Sequence, residues 1–257
     1  MKLSIVIPAH NEEHRLSPML EAYGKYFSEH YAAGDAELIV VSNFSSDRTA
    51  DVAREIAEKF PIIKVIDEPA RVGKGGAVMI GARAAAGELI GFVDADGATP
   101  PAAFDELVKN INAAGCIIAS RWMKESIVSP PQPLSRRFAS RCFNLTVNIL
   151  FGMRLRDTQC GAKLFRRDVI APVIDNLGVT SWAFDVDMLF QVKRLGARII
   201  EIPTEWRDVA GSKIKVFRSS IEMFVALIRL RMFYSPFRFL IPPLSKLIHI
   251  VFRHEAR

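Results

Sequence analysis

Cysteine is scarce in this chain, with three residues in 257 and no Cys-x-x-Cys pair or histidine at metal-ligand spacing. A disulfide-stapled minidomain is therefore excluded, and a reducing compartment is expected. Long apolar runs are also missing, because no uninterrupted stretch reaches the roughly 20 residues of a membrane-spanning helix. The run Leu3–Ile7 is ended by Pro8 and is too short for a signal-peptide core. The chain is therefore expected to face the cytosol.

Internal repeats and low-complexity tracts are absent as well, and 50% of the residues are hydrophobic against 24% charged. This composition excludes a disordered chain and a collagen-like fibre. The length suits one α/β domain with a sizeable core and a small addition.

The positive charge is distributed unevenly. The formal net charge is +6, yet residues 1–120 carry 11 basic and 17 acidic side chains, whereas residues 121–167 carry 10 and 2. Residues 168–212 carry 4 and 7, and residues 213–257 carry 9 and 2. A basic middle and a basic tail on an acidic body favour an anionic ligand and an anionic surface. No nucleic-acid partner is expected.

Short apolar runs alternate with helical stretches through the first half of the chain. This alternation predicts a mostly parallel, Rossmann-like central sheet with helices on both faces. In such sheets ligands bind beyond the carboxyl ends of the strands. The predicted strands are Leu3–Ile7, Leu38–Val41, Ile62–Ile66, Leu89–Val93, Cys116–Ala119 and Ile199–Ile202, and the predicted helices lie around Leu16–Tyr31, Asp47–Lys59, Gly75–Ala86, Pro101–Ala113 and Arg136–Leu150.

Two carboxylates follow one of these strands directly. Asp94 and Asp96 come after Val93, with the small Ala95 between them. Such a pair can converge on one divalent cation, and Mg²⁺ or Mn²⁺ prefers oxygen ligands and leaves positions for diphosphate oxygens. An isolated pair is more often an acidic turn, but its place among other polar strand ends favours a metal site.

A lysine among glycines follows another strand. Lys74 lies in Arg71–Ala77, where glycines at a helix start favour contact with a phosphate or a ribose. The stretch is not a Walker A loop, because Glu68 stands at the first glycine position and Gly75 follows the lysine. An ordinary helix-entry turn is the alternative.

The strand-end residues together resemble a known family. Four early motifs are similar to the nucleotide-sugar contacts of inverting family 2 glycosyltransferases with the GT-A fold, namely Pro8–Glu12, Ser42–Asp47, Gly73–Ala77 and Asp94–Asp96. Four later motifs resemble those of dolichyl-phosphate β-glucosyltransferases, namely Ser120–Arg121, Arg156–Phe165, Trp182–Asp187 and Glu205–Lys213. The resemblance covers about residues 1–235, and its most specific part runs from Asp157 to Phe165.

The resemblance implies transfer of glucose from UDP-glucose to a polyprenyl phosphate, with Mg²⁺ or Mn²⁺ as cofactor and UDP as the second product. The implied nucleotide-sugar contacts are Pro8, Ala9, His10, Glu12, Asn43, Lys74, Asp94, Ala95 and Asp96, and the two aspartates also hold the metal. The implied acceptor-phosphate contacts are Arg121, Arg136, Arg137, Arg141, Ser212 and Lys213. The implied catalytic residues are Asp94, Asp96, Arg121 and Asp187.

Bland alternatives stay open for some of these residues. Arg137 and Arg141 could instead be surface arginines, and Lys213 could be a solvated basic residue. Asp187 matches a carboxylate that serves as a base for hydroxyl acceptors in many relatives, yet an acidic first helical turn would explain it equally. A phosphate acceptor is already anionic near pH 7, since its second pKa is about 6, so arginine clamping matters more than a strong base.

Two positions depart from the family pattern. Ser42 and Asn43 stand where the family commonly has two aspartates, the second of which meets the base; asparagine can still accept a hydrogen bond there without a charge. Ala98 stands where the related mannosyltransferases have glutamine beyond the metal pair. The second difference favours the glucosyl branch.

Residues 1–212 are predicted to form the GT-A catalytic domain and residues 213–257 a basic amphipathic tail. In Ile221–Leu230 and Met232–Phe252 apolar residues alternate with arginines and a lysine, which is typical of helices lying in a membrane interface. A peripheral location on the cytoplasmic face of a membrane follows. A helical cap or a dimer face is the alternative, so a homo-oligomer stays open.

Three other functions stay open. A GDP-mannose-dependent polyprenyl-phosphate mannosyltransferase would differ in the donor. A catalytically silent nucleotide-sugar-binding membrane partner would bind the donor without turnover. A soluble nucleotide-binding module would have no membrane role.

Overall fold

The computed structural model describes residues 2–177, 183–207 and 216–236. Within these ranges strands alternate with helices, as the sequence predicts. The strands are β1 (Leu3–Ala9), β2 (Ala36–Asn43), β3 (Ile63–Glu68), β4 (Leu89–Phe92), β5 (Cys116–Ser120), β6 (Ile127–Ser129), β7 (Lys163–Arg166), β8 (Ile199–Pro203) and β9 (Glu205–Arg207). The helices are α1 (Glu13–His30), α2 (Thr49–Lys59), α3 (Gly73–Ala84), α4 (Pro101–Asn110), α5 (Leu134–Phe151), α6 (Arg167–Ile174), α7 (Phe184–Arg194) and α8 (Val216–Phe233).

Seven strands form one central sheet in the order β3-β2-β1-β4-β7-β5-β8. Neighbouring strands are parallel except for β7, which runs antiparallel to both β4 and β5. Helices α1, α2 and α4 pack on one face of the sheet, and α3, α6 and α7 pack on the other. The predicted mostly parallel sheet with helices on both faces is confirmed.

The central strands explain why the prediction succeeds. In β1, Leu3, Ile5 and Ile7 face the α1 side of the sheet, whereas Val6 faces the α3 side, and all four side chains are fully buried. A parallel strand covered on both faces has a near-continuous apolar sequence, which is the pattern of this segment. Its apolar run therefore reports a position deep in the sheet.

The second half of the chain holds the elements that the sequence pattern did not predict. Strand β7 has four residues and lies between β4 and β5, so it interrupts the parallel order at the centre of the sheet. Residues 124–133, where no strand is predicted, contain the three-residue strand β6, which pairs with β9. Both strands are too short for a periodic pattern to identify them.

Helix α8 packs onto the domain through Leu227 and Leu230, which join the apolar cluster on the α7 side of the sheet, while Phe224 and Phe233 are exposed. Within the described ranges, no helix combines the length and the apolar character needed to cross a bilayer. The predicted domain boundary at residue 212 falls outside the described residues, and the membrane-interface tail stays a prediction.

Candidate active site

The predicted site residues follow strands that end at one edge of the sheet. Strands β1, β2, β4 and β5 run in the same direction, so the residues after them meet at their shared carboxyl edge. Strand β7 runs the opposite way and therefore begins at this edge, which brings Gly161 and Lys163 into the site as well. The edge holds His10, Asn43, Asp94 and Arg121, each at or just after its strand.

Lys74 and Asp94, which follow different strands, are in direct contact. The Lys74 Nζ atom lies 2.5 Å from Asp94 Oδ1 and 5.6 Å from the centre of the Phe184 ring. Burial lowers the pKa of Lys74, but the charges of Asp94, Asp185 and Asp96 outweigh it and raise that pKa above its usual value. The ammonium group is therefore a fixed positive charge beside the carboxylate pair.

The two aspartates are suited to a divalent cation. Burial and then the charge of Asp94 raise the pKa of Asp96, so the ionised pair is held close at a cost in free energy that a cation relieves. Gly97, with φ at +73°, makes the turn that lets the Ala98 backbone N–H donate to Asp96 Oδ1 at 3.0 Å. In the described part of the chain no three His, Cys, Asp or Glu side chains converge on a metal position. The donor set is thus two carboxylates that leave room for ligand oxygens.

Gly161 sets the position of Asp94. A Cβ atom at residue 161 would collide with the Asp94 carboxylate, so only glycine leaves the carboxylate where it is. Gly161 lies within the most specific family motif, but no role is predicted for it from the sequence. The need for a glycine just before β7 becomes evident only when β7 is known to lie beside β4.

Asn43 is engaged in holding the loop that leads to Lys74. Its Nδ2 donates to the Ala70 carbonyl at 2.6 Å, and its Oδ1 accepts from the Gly73 N–H at 3.0 Å. The predicted contact with a base stays a prediction. The observed bonds suit an amide at this position, because an amide donates and accepts at once, whereas an ionised aspartate can only accept.

His10 and Phe44 form a flat aromatic surface next to this loop. The His10 Nδ1 atom lies 2.8 Å from the Asn43 carbonyl oxygen, and its ring stacks near that of Phe44 at a centroid distance of 6.5 Å. Phe44 is 50% exposed. No role is predicted for Phe44 from the sequence, although an aromatic residue directly after β2 could have indicated one.

The Pro8–Glu12 segment is fixed to the start of α2. The Glu12 backbone N–H donates to Thr49 Oγ1 at 2.8 Å, and the Glu12 carboxylate accepts two hydrogen bonds of 2.6 Å from Arg15. Ala9 and Ala95 are buried in the core on the α1 side. These residues therefore fix the shape of this edge of the sheet, and their predicted contacts with the nucleotide sugar stay a prediction.

Arg121 is held by Asp157, the first residue of the most specific motif. Its Nε and Nη2 atoms donate to the two Asp157 oxygens at 2.8 and 2.9 Å, and its backbone N–H donates to the same carboxylate. The Trp206 ring lies 5.3 Å from the guanidinium carbon. Burial lowers the pKa of Arg121, and the Asp157 charge more than compensates and raises it. Arg121 is thus charged and fixed in direction.

A cavity of about 340 Å³ opens beside Arg121 and is lined by Arg137 and Arg141 as well. Arg141 lies over the Trp122 ring, 4.6 Å from its centre. The structure therefore brings three of the four predicted acceptor arginines to one cavity. Arg136 is half-buried on the same helix and does not line the cavity, and Ser212 and Lys213 lie outside the described residues.

Asp187 is fully buried and does not line the cavity. It accepts a hydrogen bond from the Tyr234 hydroxyl at 2.5 Å and one from Gln191 Nε2 at 3.4 Å. Its neighbour Asp185 accepts a 2.6 Å hydrogen bond from the buried Lys163. In this arrangement Asp187 holds the end of α8, and the predicted contact with the acceptor stays a prediction.

A comparison with known families shows where the chain belongs. The model described as "Glycosyl transferase family 2" matches residues 4–173, from β1 into α6, a span that contains Lys74, Asp94 and Arg121. The chain belongs to glycosyl transferase family 2. It is therefore a glycosyltransferase, and the family resemblance seen in the strand-end motifs is confirmed.

Relatives of this family 2 member match it over most of its length. A dolichyl-phosphate beta-glucosyltransferase of Trichomonas vaginalis is 35% identical over 246 residues, which covers 90% of this chain and 73% of that protein. The dolichyl-phosphate beta-glucosyltransferase of Homo sapiens is 34% identical over 247 residues, which covers 91% of this chain and 76% of that protein.

Solved structures confirm the GT-A glycosyltransferase fold. Glucosyl-3-phosphoglycerate synthase from Mycobacterium tuberculosis in complex with UDP has a TM-score of 0.65 at 17% identity and covers 90% of this chain and 79% of that one. The same synthase with Mn²⁺, UDP-glucose and phosphoglyceric acid gives the same score and coverage at 17% identity. At this identity the likeness shows the fold alone.

Proposed function

We propose that this glycosyltransferase transfers glucose from UDP-glucose to a dolichyl-type polyprenyl phosphate, with inversion at the anomeric carbon, and releases UDP. The observation that carries this proposal is the match over nine-tenths of the chain to relatives named dolichyl-phosphate beta-glucosyltransferase. The carboxylate pair and the arginine-lined cavity at one sheet edge support it, since the reaction brings two phosphate-bearing substrates together.

On the donor side, Lys74 and the aspartate pair would face the diphosphate. Mg²⁺ or Mn²⁺ held by Asp94 and Asp96 supplies Lewis-acid stabilisation of the leaving diphosphate when it is bound. Lys74 is close enough to Asp94 to exchange that contact for a diphosphate oxygen, and it keeps its charge while doing so. Asn43 keeps the Lys74 loop in place during this exchange.

On the acceptor side, the arginines would hold the phosphate in line with the anomeric carbon. A phosphate monoester is already anionic near neutral pH, with a second pKa of about 6, so its oxygen attacks without a strong general base. This agrees with the burial of Asp187, since the described residues that line the cavity are cationic or neutral. Charge neutralisation and orientation then carry the acceleration.

A lipid acceptor requires a membrane-facing surface, and α5 offers one. Leu134, Phe138, Leu145 and Ile149 are spaced four, seven and four residues apart, so they lie on one face of the helix, and they are 61% to 78% exposed. We call these four residues the α5 stripe. Arg137 and Arg141 lie on the same helix and line the cavity, so apolar surface and phosphate-binding groups are adjacent.

A donor panel tests the proposal. Purified protein with Mg²⁺ or Mn²⁺, a short polyprenyl phosphate and labelled nucleotide sugars should give lipid-linked glucose from UDP-glucose and little product from GDP-mannose. Exclusive use of GDP-mannose would replace the glucosyl assignment, and no lipid-linked sugar from any donor would overturn the proposal.

The aspartate pair gives the matched variant for this assay. Asp94→Asn with Asp96→Asn should lower kcat about 1,000-fold, because the leaving diphosphate loses its metal. Asp168→Asn removes an exposed carboxylate on α6 and should leave kcat within twofold. Full activity of the double variant would remove the metal from the mechanism.

A further inference from the structure

Two side-chain N–H groups beside the arginine cavity lack an acceptor. Trp122 Nε1 and Gln132 Nε2 are buried, and neither has a hydrogen-bond partner among the described residues. Both residues line the cavity, and Gln132 is 7% exposed overall. Buried donors are paired in the great majority of proteins, so two orphans at one cavity require an explanation.

The free energy of an unpaired buried donor is recovered when an acceptor arrives. Trp122 can only donate through its indole nitrogen, and the Gln132 nitrogen can only donate as well. A ligand that satisfies both must therefore present acceptor oxygens, either two of them or one that accepts both hydrogen bonds. Water could satisfy one donor, but it brings no charge to the three guanidinium groups of the cavity.

The positive charge of the cavity indicates that its ligand is an anion. Arg121, Arg137 and Arg141 line the cavity together with neutral residues, and none of its described lining residues is a carboxylate. The Arg121 guanidinium is already paired with Asp157, so among the described residues the positive charge open to a ligand comes from the two arginines of α5. A tetrahedral phosphate offers several acceptor oxygens and can meet arginine and neutral donors at the same time.

Apart from Ser126, the remaining lining residues are apolar, and they favour an anion that carries a carbon chain over a bare inorganic anion. Met123, Val128 and Pro131 lie around the same cavity, whose volume of about 340 Å³ exceeds what a phosphate group fills. The space and its apolar wall suit the first carbons attached to a phosphate monoester.

We propose that Trp122 and Gln132 are acceptor-binding residues whose N–H groups donate to the phosphate of the lipid acceptor, completing the arginine clamp. The assignment deepens the proposed function and rests on it. It also accounts for two buried donors at the cavity that have no acceptor among the described residues, because the phosphate oxygens would supply one. Trp122 has a second role, because its ring packs against the Arg141 guanidinium group.

Trp122→Phe and Gln132→Leu test the assignment. Trp122→Phe keeps a ring under Arg141 and removes the N–H, and Gln132→Leu removes the amide with little change in volume. Each variant should raise KM for a short polyprenyl phosphate about tenfold or more, and leave KM for the nucleotide sugar within twofold. Without ligand, the melting temperature of Gln132→Leu should stay the same or rise, because a buried unpaired donor is lost.

The control is Trp206→Phe, which alters the ring next to Arg121 but no residue of the cavity lining. It should change the acceptor KM less than Trp122→Phe does. An equal change would show that arginine packing, and not the N–H group, determines the effect and would overturn the assignment. A fall in the melting temperature of Gln132→Leu without any change in acceptor KM would do the same.

Direct binding separates this inference from the proposed function. Calorimetry with a short polyprenyl phosphate and with inorganic phosphate should show tighter binding of the lipid, and both variants should weaken that binding about tenfold. If wild-type protein forms no lipid-linked sugar but the variants still lose phosphate binding, the proposed function fails and the site assignment stands. If wild-type protein is active and the variants bind the acceptor normally, the site assignment alone fails. Equal binding of inorganic and lipid phosphate would overturn the apolar part of the assignment.

Discussion

The proposed donor side and the proposed acceptor side of the site differ in how their polar groups are held. On the donor side the polar groups follow β1, β2 and β4, and they are bonded to one another, as in the contacts of Asn43 with Gly73 and of Lys74 with Asp94. On the acceptor side, Arg137 and Arg141 are exposed on α5, and two cavity donors have no partner in the described residues. A soluble nucleotide sugar can be met by a preformed pocket, whereas a ligand delivered in a lipid layer needs an open surface.

Strand β7 joins the two sides. Gly161 at its start touches Asp94 on the donor side, and the preceding Asp157 and Thr158 reach Arg121 and the Asn144 side chain of α5 on the acceptor side. The most specific family motif is thus the segment that fixes one substrate side relative to the other. Disturbing this segment should affect both sides, and disturbing either side alone should not.

The largest effect is expected at the buried ion pair under this junction. Lys163 donates to the Asp185 carboxylate and to the Cys160 carbonyl, both at 2.6 Å, and its side chain is fully buried. Lys163→Met leaves Asp185 as a buried unpaired charge and should lower the free energy of unfolding by about 3 to 5 kcal/mol, measured by urea denaturation.

The double variant Lys163→Met with Asp185→Leu is the control for this prediction. Replacing both partners with apolar groups should recover most of the lost stability. A single variant as stable as wild type would show that the pair does not hold the junction together, and the comparison of the two sides would lose its common support.

The second-largest effect is expected at Gly161, and it distinguishes a loss of catalysis on the donor side from a general loss of fold stability. Gly161→Ala places a methyl group against the Asp94 carboxylate and should lower kcat about 100-fold, close to 2.7 kcal/mol in activation free energy. Gly115→Ala gives a matched collision away from the site, with the Ala197 side chain. It should lower the melting temperature while the folded enzyme keeps its kcat. Equal kcat losses in the two variants would contradict a specific role for Gly161.

The donor side was predictable from sequence because its signals are local. Buried parallel strands have continuous apolar sequences, and each is followed directly by polar residues such as Asp94 or Asn43. Strand β7 escaped because four residues beginning with Lys163 have no strand pattern of their own. The charge of Lys163 is paired with that of Asp185, which lies 22 residues later in the sequence, and only the folded chain shows this pairing.

On the acceptor side, the arginines were found through the family resemblance and the charge count, not through periodicity. Trp122 and Gln132 escaped, because an unpaired donor is a property of the surroundings and not of a motif. Asp187 shows the opposite case: the resemblance implies a role at the acceptor, and the structure gives this carboxylate Tyr234 as a partner. Residues whose function depends on distant partners are the ones that sequence patterns describe least well.

The smallest effect tests whether the openness of the acceptor side serves a membrane. Phe138→Ser with Ile149→Ser removes two exposed apolar side chains of the α5 stripe and should weaken binding to vesicles containing anionic lipid about tenfold, because each side chain contributes part of its transfer free energy at the interface. Leu195→Ser removes a comparably exposed residue that precedes β8 at the opposite edge of the sheet, and it should leave vesicle binding unchanged. The double variant should keep its kcat with a short, water-soluble polyprenyl phosphate, because no donor-side contact is altered. If it instead loses activity on the soluble acceptor and keeps vesicle binding, the stripe belongs to the acceptor pocket itself, and the division between a rigid donor side and a membrane-facing acceptor side has to be redrawn.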